Sequence, residues 1–312
     1  MAALAGLRRW QTGLMKAFKT LFVVSALSCA TFSPAVLRAQ TAAAAENGAA
    51  ALSQKYTALE PQLTSNVYQR PLVVTSTEGS NTVSGDIYAE LASPFTAVTA
   101  TFKDPRQWCE VLILHLNTKS CRAGTNGNPN NLTMHLGRKH PQDLKDATEL
   151  QFVYRLTQAS NNYFEAGLNS DKGPVGTSNY RIALQAIPLP NGKTFMHLQY
   201  AYSYGLASKI AMQGYLATLG SGKVGFTPTG APGSKNYVGG MRGAVERNAM
   251  RYYLAIDAYL ASLGKPPAQQ FDARVSTWFE ATEQYAEQLH EVDKSDYLSM
   301  KAAEHQRQLA SP

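Results

Sequence analysis

Five tyrosines, Tyr154, Tyr180, Tyr200, Tyr202 and Tyr204, fall on one face of three alternating segments and offer a row of hydroxyls for binding. Side chains alternate across a strand, so Met196, Leu198, Tyr200, Tyr202 and Tyr204 share one side. Phe195, His197, Gln199, Ala201 and Ser203 share the other. Tyr180, Ile182, Leu184 and Ala186 repeat the pattern, as do Phe152, Tyr154 and Leu156. An apolar wall with hydroxyls at fixed points suits an amphipathic ligand. The plainer alternative is ordinary core, with each hydroxyl reaching the surface or a backbone carbonyl, since Tyr is at home in strands.

A second candidate lies in a helical run. Arg242 and Glu246 stand four residues apart, and so do Arg247 and Arg251. Pointing into a cavity, Arg242, Glu246 and Arg251 would hold a carboxylate, phosphate or carbonyl head. On a solvated flank they would make only weak ion pairs, which is the more ordinary reading.

Histidine suggests a third chemistry and then argues against it. His115, His135 and His197 each sit between apolar neighbours. By parity His135 and His197 lie opposite their apolar neighbours and point away from any cavity, and no H-x-x-x-H or H-E-x-x-H pair occurs. No metal site is expected. No G-x-S-x-G elbow is present either. Glu165, Glu246, Asp257 or a buried Tyr could be retuned by a cavity for acid/base work, but no spacing selects one. No cofactor is expected.

These groups need elements to hold them. Leu72–Thr77 and Val83–Leu91 read as strands about the turn Gly79-Ser80-Asn81. Ser93-Pro94 opens a short helix with Phe95, Val98 and Phe102 on one face. Asp104-Pro105 opens another, with Trp108, Val111, Leu112 and His115 at helical spacing. Thr118–Ala123, Leu132–Arg138, Glu149–Gln158, Tyr163–Leu168, Asn179–Ile187 and Thr194–Tyr204 continue as antiparallel strands. A short helix over Lys209–Leu219 and a Gly/Pro-rich loop to Gly240 follow. Met241–Leu263 reads as a long amphipathic helix with the stripe Val245, Ala249, Tyr252, Ile256, Tyr259 or Leu260, and Leu263. Gly264, Pro266 and Pro267 end it.

The ends of the chain read differently. Arg8, Arg9, Lys16 and Lys19 precede the apolar run 21–27, and small residues follow up to a cleavage point at Ala39. That is the layout of a secretory signal peptide over residues 1–39, and Met15 also fits as its start. The segment carries five basic residues and no acidic ones, so the whole-chain charge of +7 becomes +2 without it. The basic balance therefore belongs mainly to the leader, and no nucleic-acid partner is expected. Export to a periplasm or the exterior predicts an oxidising setting and a Cys109–Cys121 disulfide. In one extended strand those cysteines would lie roughly 35–40 Å apart, so a bridge requires residues 108–116 to be helical or bent. Asn131-Leu132-Thr133 fits a glycosylation sequon. Residues 40–69 read as an Ala-rich tether and a short helix from Ser53. Residues 266–312 read as a polar helical tail whose first half packs, through Trp278, Tyr285 and Leu289.

The order of elements resembles the helix-grip fold of the START-like (SRPBCC) superfamily, which includes polyketide cyclases and lipid-transfer domains. The resemblance is carried by Val83–Leu91 with Ser93-Pro94-Phe95, by Asp104–Trp108, and by Gly240–Leu263 as the gripping helix. It covers residues 70–265. It implies an α+β domain whose curved antiparallel sheet wraps a long C-terminal helix around a cavity for an apolar ligand. The stretch 209–240 departs from the minimal fold and suits a lid.

These readings lead to an exported domain that binds a lipid or other apolar small molecule as carrier or sensor, with transient membrane contact allowed. A polyketide-cyclase or dehydratase-like enzyme is the second reading, with Tyr and Glu246 or Arg251 moving protons. An interaction module with a filled core and a working tail is the third.

Overall fold

The computed structural model describes residues 34–218, 222–230 and 236–310. The leader core at 21–27 lies outside them. Eight strands form one antiparallel sheet: β1 (Leu72–Glu78), β2 (Thr82–Leu91), β3 (Thr118–Ala123), β4 (Asn131–Leu136), β5 (Thr148–Ala159), β6 (Phe164–Lys172), β7 (Thr177–Pro188) and β8 (Thr194–Tyr204). Their order across the sheet is β1-β2-β8-β7-β6-β5-β4-β3, so β2 closes against the last strand. Between β2 and β3 stand two short helices, α2 (Phe95–Phe102) and α3 (Pro105–Leu112). The alternation in the sequence sets the faces. Val83, Ile87, Ala89 and Leu91 of β2 are buried with Leu198 and Tyr200 of β8, and Ile87 pairs with Leu198.

The long helix α5 (Gly240–Ser262) lies across β1, β2 and β8. Gly85 permits this contact. A side chain there would place its Cβ 3.0 Å from the Val245 carbonyl oxygen, so only a glycine lets helix backbone rest on strand β2. This is the α+β helix-grip architecture expected from the sequence. The Cys109–Cys121 disulfide is present and joins α3 to β3, with Cα atoms 5.1 Å apart across a turn that satisfies the bend requirement.

Three regions differ from the sequence reading. Residues 34–64 form one α-helix, α1, where a tether and a helix from Ser53 were expected. Ala is the strongest helix former, so an Ala-rich segment reads as low complexity while favouring a helix. Its far end covers the outer face of the sheet. Leu52, Leu59 and Leu63 pack with Val73, Tyr163, Ile187, Leu189 and Phe195 in a second small core. The wettable face of β8 is thus half covered, and His197 lies there between Asp86 and Gln185.

Second, α5 is buried nearly all round rather than along one stripe. Third, the C-terminal tail packs along most of its length, which accounts for part of that burial; residues 224–227 cover α5 at Glu246 and Arg247. The tail comprises α6 (Pro267–Glu283), the single turn α7 (Ala286–Leu289) and α8 (Lys294–Ala310). Trp278 stacks on Tyr297 at 4.9 Å, and Arg274 bonds Glu110 at 2.6 Å. The second half docks on β3 through a buried charge cluster. Glu304 accepts from Lys119 Nζ at 2.9 Å and Lys301 Nζ at 2.7 Å, all three at most 1% exposed. Lys301 also donates to the His115 and Thr118 carbonyls.

Removing the carboxylate shared by two buried ammonium groups is costly. Glu304→Ala is expected to lower unfolding free energy by about 3–5 kcal/mol in urea titrations. A loss below about 1 kcal/mol, the scale of a surface pair, would contradict this latch.

Candidate functional site

Between the sheet and α5 the core leaves a chamber of about 390 Å³. Tyr180 of β7 and Tyr200 of β8 form one wall, because both lie on the inner face. Asn248 and Tyr252 of α5 form the second. His115 and Asn117, in the turn from α3 to β3, form the third. The mouth is rimmed by Arg138, Gln142 and Asp146 of the β4–β5 connection, by Thr148 at the start of β5, and by Pro174 in the β6–β7 turn.

The aromatic rings are locked by mutual packing. Tyr200 lies 5.3 Å from Tyr252, Tyr180 stacks on Tyr202 at 5.2 Å, and Tyr252 stacks with His115 at 5.0 Å. Burial pushes the phenols of Tyr180, Tyr200 and Tyr252 upward, so they remain neutral hydrogen-bonding groups at physiological pH.

His115 has an assigned tautomer. Its Nδ1 accepts from the Asn117 backbone N–H at 3.2 Å, so Nε2 carries the proton and points to Asn248 Oδ1 at 3.4 Å. Burial, reinforced by Arg251 and Lys301, holds its pKa well below the usual imidazole value. The ring therefore enters the chamber neutral. Asn248 keeps its amide N–H₂ for a ligand or water, and the Tyr hydroxyls supply both donors and acceptors.

The sequence-predicted residues separate into two groups. Tyr180 and Tyr200 line the chamber. Tyr154 is filled core, its hydroxyl donating to the Phe102 carbonyl at 2.9 Å. Tyr202 supports Tyr180 from behind, and Tyr204 donates to Glu78 at 3.1 Å. Arg242, Glu246 and Arg251 do not line the chamber. Glu246 accepts from Ser76 Oγ (2.5 Å), Thr227 Oγ1 (2.7 Å), and the backbone N–H groups of Phe226 (2.6 Å) and Thr227 (2.9 Å), while Arg242 donates to Ser76. That carboxylate staples residues 226–227 to α5. Arg251 pairs with Glu291 at 3.0 Å, behind the chamber wall. Of the other acid/base candidates, Glu165 accepts from Tyr163 on the outer face and Asp257 pairs with Arg70. None of the described residues of 209–240, the stretch expected as a lid, lines the chamber; the helix that begins just ahead of it makes the nearest contact. Helix α4 (Leu206–Ala217) sits on the turn 174–176, where Ser208 donates to the Val175 carbonyl.

Sequence reasoning missed Asn117, Asn248 and the β4–β5 connection. Asn248 carried a signal: it stands at helical spacing between Val245 and Tyr252, a polar residue within an apolar stripe. Among the described residues no group of three or more His, Cys, Asp or Glu could hold a metal ion, and no helix is long and apolar enough to cross a membrane.

No protein-family model matches the chain, and no curated protein matches its sequence. Solved structures similar to it include a START superfamily protein from Mycobacterium smegmatis, 12% identical, covering 59% of this chain and 99% of that one with a TM-score of 0.35. Human StAR-related lipid transfer protein 5 is 9% identical over 78% and 98%, with a TM-score of 0.29. Truncated norcoclaurine synthase from Thalictrum flavum is 15% identical over 46% and 93%, with a TM-score of 0.30. No site residue can be carried across at such identities.

His115 generates a pH prediction. Its folded pKa lies below the unfolded value near 6.5, so protons bind preferentially to the unfolded chain as pH falls through that value. Its contribution to stability is therefore present above pH 6.5 and lost below it, by up to about 1.4 kcal/mol per pH unit. His115→Asn, which keeps an acceptor for the Asn117 N–H, is expected to flatten the fall in Tm between pH 6.5 and 5. Parallel wild-type and variant curves would contradict a buried neutral ring.

Proposed function

We propose that this START-like helix-grip domain binds one small amphipathic molecule in the chamber beneath α5, as a carrier or sensor of an apolar compound. The observation that carries the reading is the open-mouthed chamber itself: the rings of Tyr180, Tyr200 and Tyr252 form an apolar patch beside His115, Asn117 and Asn248, within a polar rim that includes Arg138 and Asp146. Its volume of about 390 Å³ lies within the range of roughly 300–1,000 Å³ usual for small-molecule sites. The ligand's apolar body would lie against Tyr180, Tyr200 and Tyr252. Its polar end would meet Asn248 and the hydroxyls. The size favours a single chain or a small ring system over a large lipid.

The cyclase or dehydratase reading asks for a buried Arg–Glu pair in the cavity. Glu246 is fully engaged elsewhere, which weighs against that version. The tail is packed against β3 and α5, which weighs against a free docking segment. Export belongs to the same proposal. The leader pattern in the sequence supports it, and so does the Cys109–Cys121 bridge.

A rim substitution separates ligand binding from folding. Thr148 is exposed at the mouth, so Thr148→Trp would obstruct entry while leaving stability within about 0.5 kcal/mol. Calorimetric titration with 1-octanol is expected to give a saturable one-to-one isotherm for the wild type and a loss of at least tenfold in affinity for the variant. No binding by the wild type would overturn the reading.

A further inference from the structure

A ligand that fills the chamber also strips water from the polar groups on its walls, and a dried donor without an acceptor is costly. The protons left free on those walls therefore select the occupant. Their positions follow from the hydrogen bonds already made.

On the strand wall the protons are spent. Thr177 has one hydroxyl proton and donates it to the Pro174 carbonyl at 2.6 Å. It can then only accept from the Tyr180 hydroxyl, 2.9 Å away. Tyr180 has only lone pairs left for its hydrogen bond with Tyr200, so Tyr200 donates to it. The chain of donors runs from Tyr200 through Tyr180 and Thr177 to the Pro174 carbonyl. Neither tyrosine keeps a proton for a ligand.

The helix wall is the reverse. Asn248 and Tyr252 stand four residues apart on α5, so they share a face, and both line the chamber. The direction of the Asn248 amide is set from outside the helix. The Asn117 N–H occupies His115 Nδ1, so His115 donates from Nε2 to the Asn248 side-chain carbonyl. That relay turns the Asn248 N–H₂ toward the open space. Tyr252 is 6% exposed, and its hydroxyl has no hydrogen-bond partner among the described residues. Its ring is held by His115 and Tyr200. The charged residues lining the space, Arg138 and Asp146, stand at the rim and have opposite signs, so the walls call for no net charge on the ligand.

We infer that the chamber recognises a carbonyl oxygen, held by the Asn248 N–H₂ and the Tyr252 hydroxyl, and that its occupant is a ketone, ester or amide with an apolar body. A carbonyl oxygen has two lone pairs and no proton, so it accepts from both groups. An alcohol accepting from both brings a proton of its own to place. His115 is a positioning residue that acts through Asn248. The inference rests on the chamber reading and narrows it to a ligand class.

The pair 2-octanone and 2-octanol tests it, because the two share a carbon skeleton and differ only in the oxygen group. In calorimetric titrations of the whole protein the ketone is expected to bind about fivefold more tightly, the scale of one neutral hydrogen bond. Asn248→Asp keeps an oxygen for His115 and removes the N–H₂. Tyr252→Phe keeps the ring contacts and removes the hydroxyl, and it carries the test if the first variant does not fold. In each, the ratio of affinities is expected to fall toward one. The infrared carbonyl stretch of bound 2-octanone is expected at lower frequency than in hexane. It is expected to move back in both variants and in His115→Asn, whose shorter side chain loses the Asn248 contact. Equal affinities, tighter binding of the alcohol, an unshifted stretch in the wild type, or a preference that survives both Asn248→Asp and Tyr252→Phe would overturn the carbonyl site and leave the chamber reading standing. Binding of neither compound would overturn both.

Discussion

The structure depends on the burial of α5 on nearly every side. A helix gripped only by a sheet would keep one solvated flank. Here residues 224–227 and the tail cover that flank, and Glu246, Arg247 and Arg251 are all under 5% exposed. Buried charge is tolerated only when paired and hydrogen-bonded. Each of these side chains therefore reaches out to another part of the chain: Glu246 to residues 226–227 and Ser76, Arg247 to the Val224 carbonyl, and Arg251 to Glu291. The charges on α5 are fasteners, and the face left toward the chamber carries Asn248 and Tyr252 instead.

The same constraint organises the chamber. The turn holding His115 is fixed from three directions. The disulfide ties α3 to β3, Lys301 holds the His115 carbonyl, and Asn117 binds the ring. A tail absent from the minimal helix-grip arrangement thus buttresses the chamber wall from behind. The result is a rigid set of polar groups, and pre-organised groups bind with a smaller ordering cost.

Much of the fold was legible because strand periodicity and helix punctuation are local. Thr118–Ala123 and Thr194–Tyr204 take the predicted bounds, and α5 differs by one residue at each end. Faces were legible for the same reason: Tyr180 and Tyr200 point inward, as alternation requires. Depth was not. Tyr154 and Tyr200 share a face, yet one contacts a core carbonyl and the other a chamber, and periodicity carries no information on where a core stays unfilled. The charged run on α5 looked solvated because its cover arrives from outside the helix: from Ser76 and residues 224–227 for Arg242, Glu246 and Arg247, and from Glu291 for Arg251. The pairing of Lys139 with Glu291 was invisible for that reason too, since the two stand 152 residues apart in sequence.

The central claim is that the space beneath α5 holds a molecule. Its most direct test is native mass spectrometry of the protein purified from its own compartment, followed by solvent extraction of whatever it carries. The account predicts a one-to-one mass increment that collapses to the bare chain on extraction and releases a small amphipathic compound. A bare mass throughout, together with no uptake of added alkyl compounds, would contradict it.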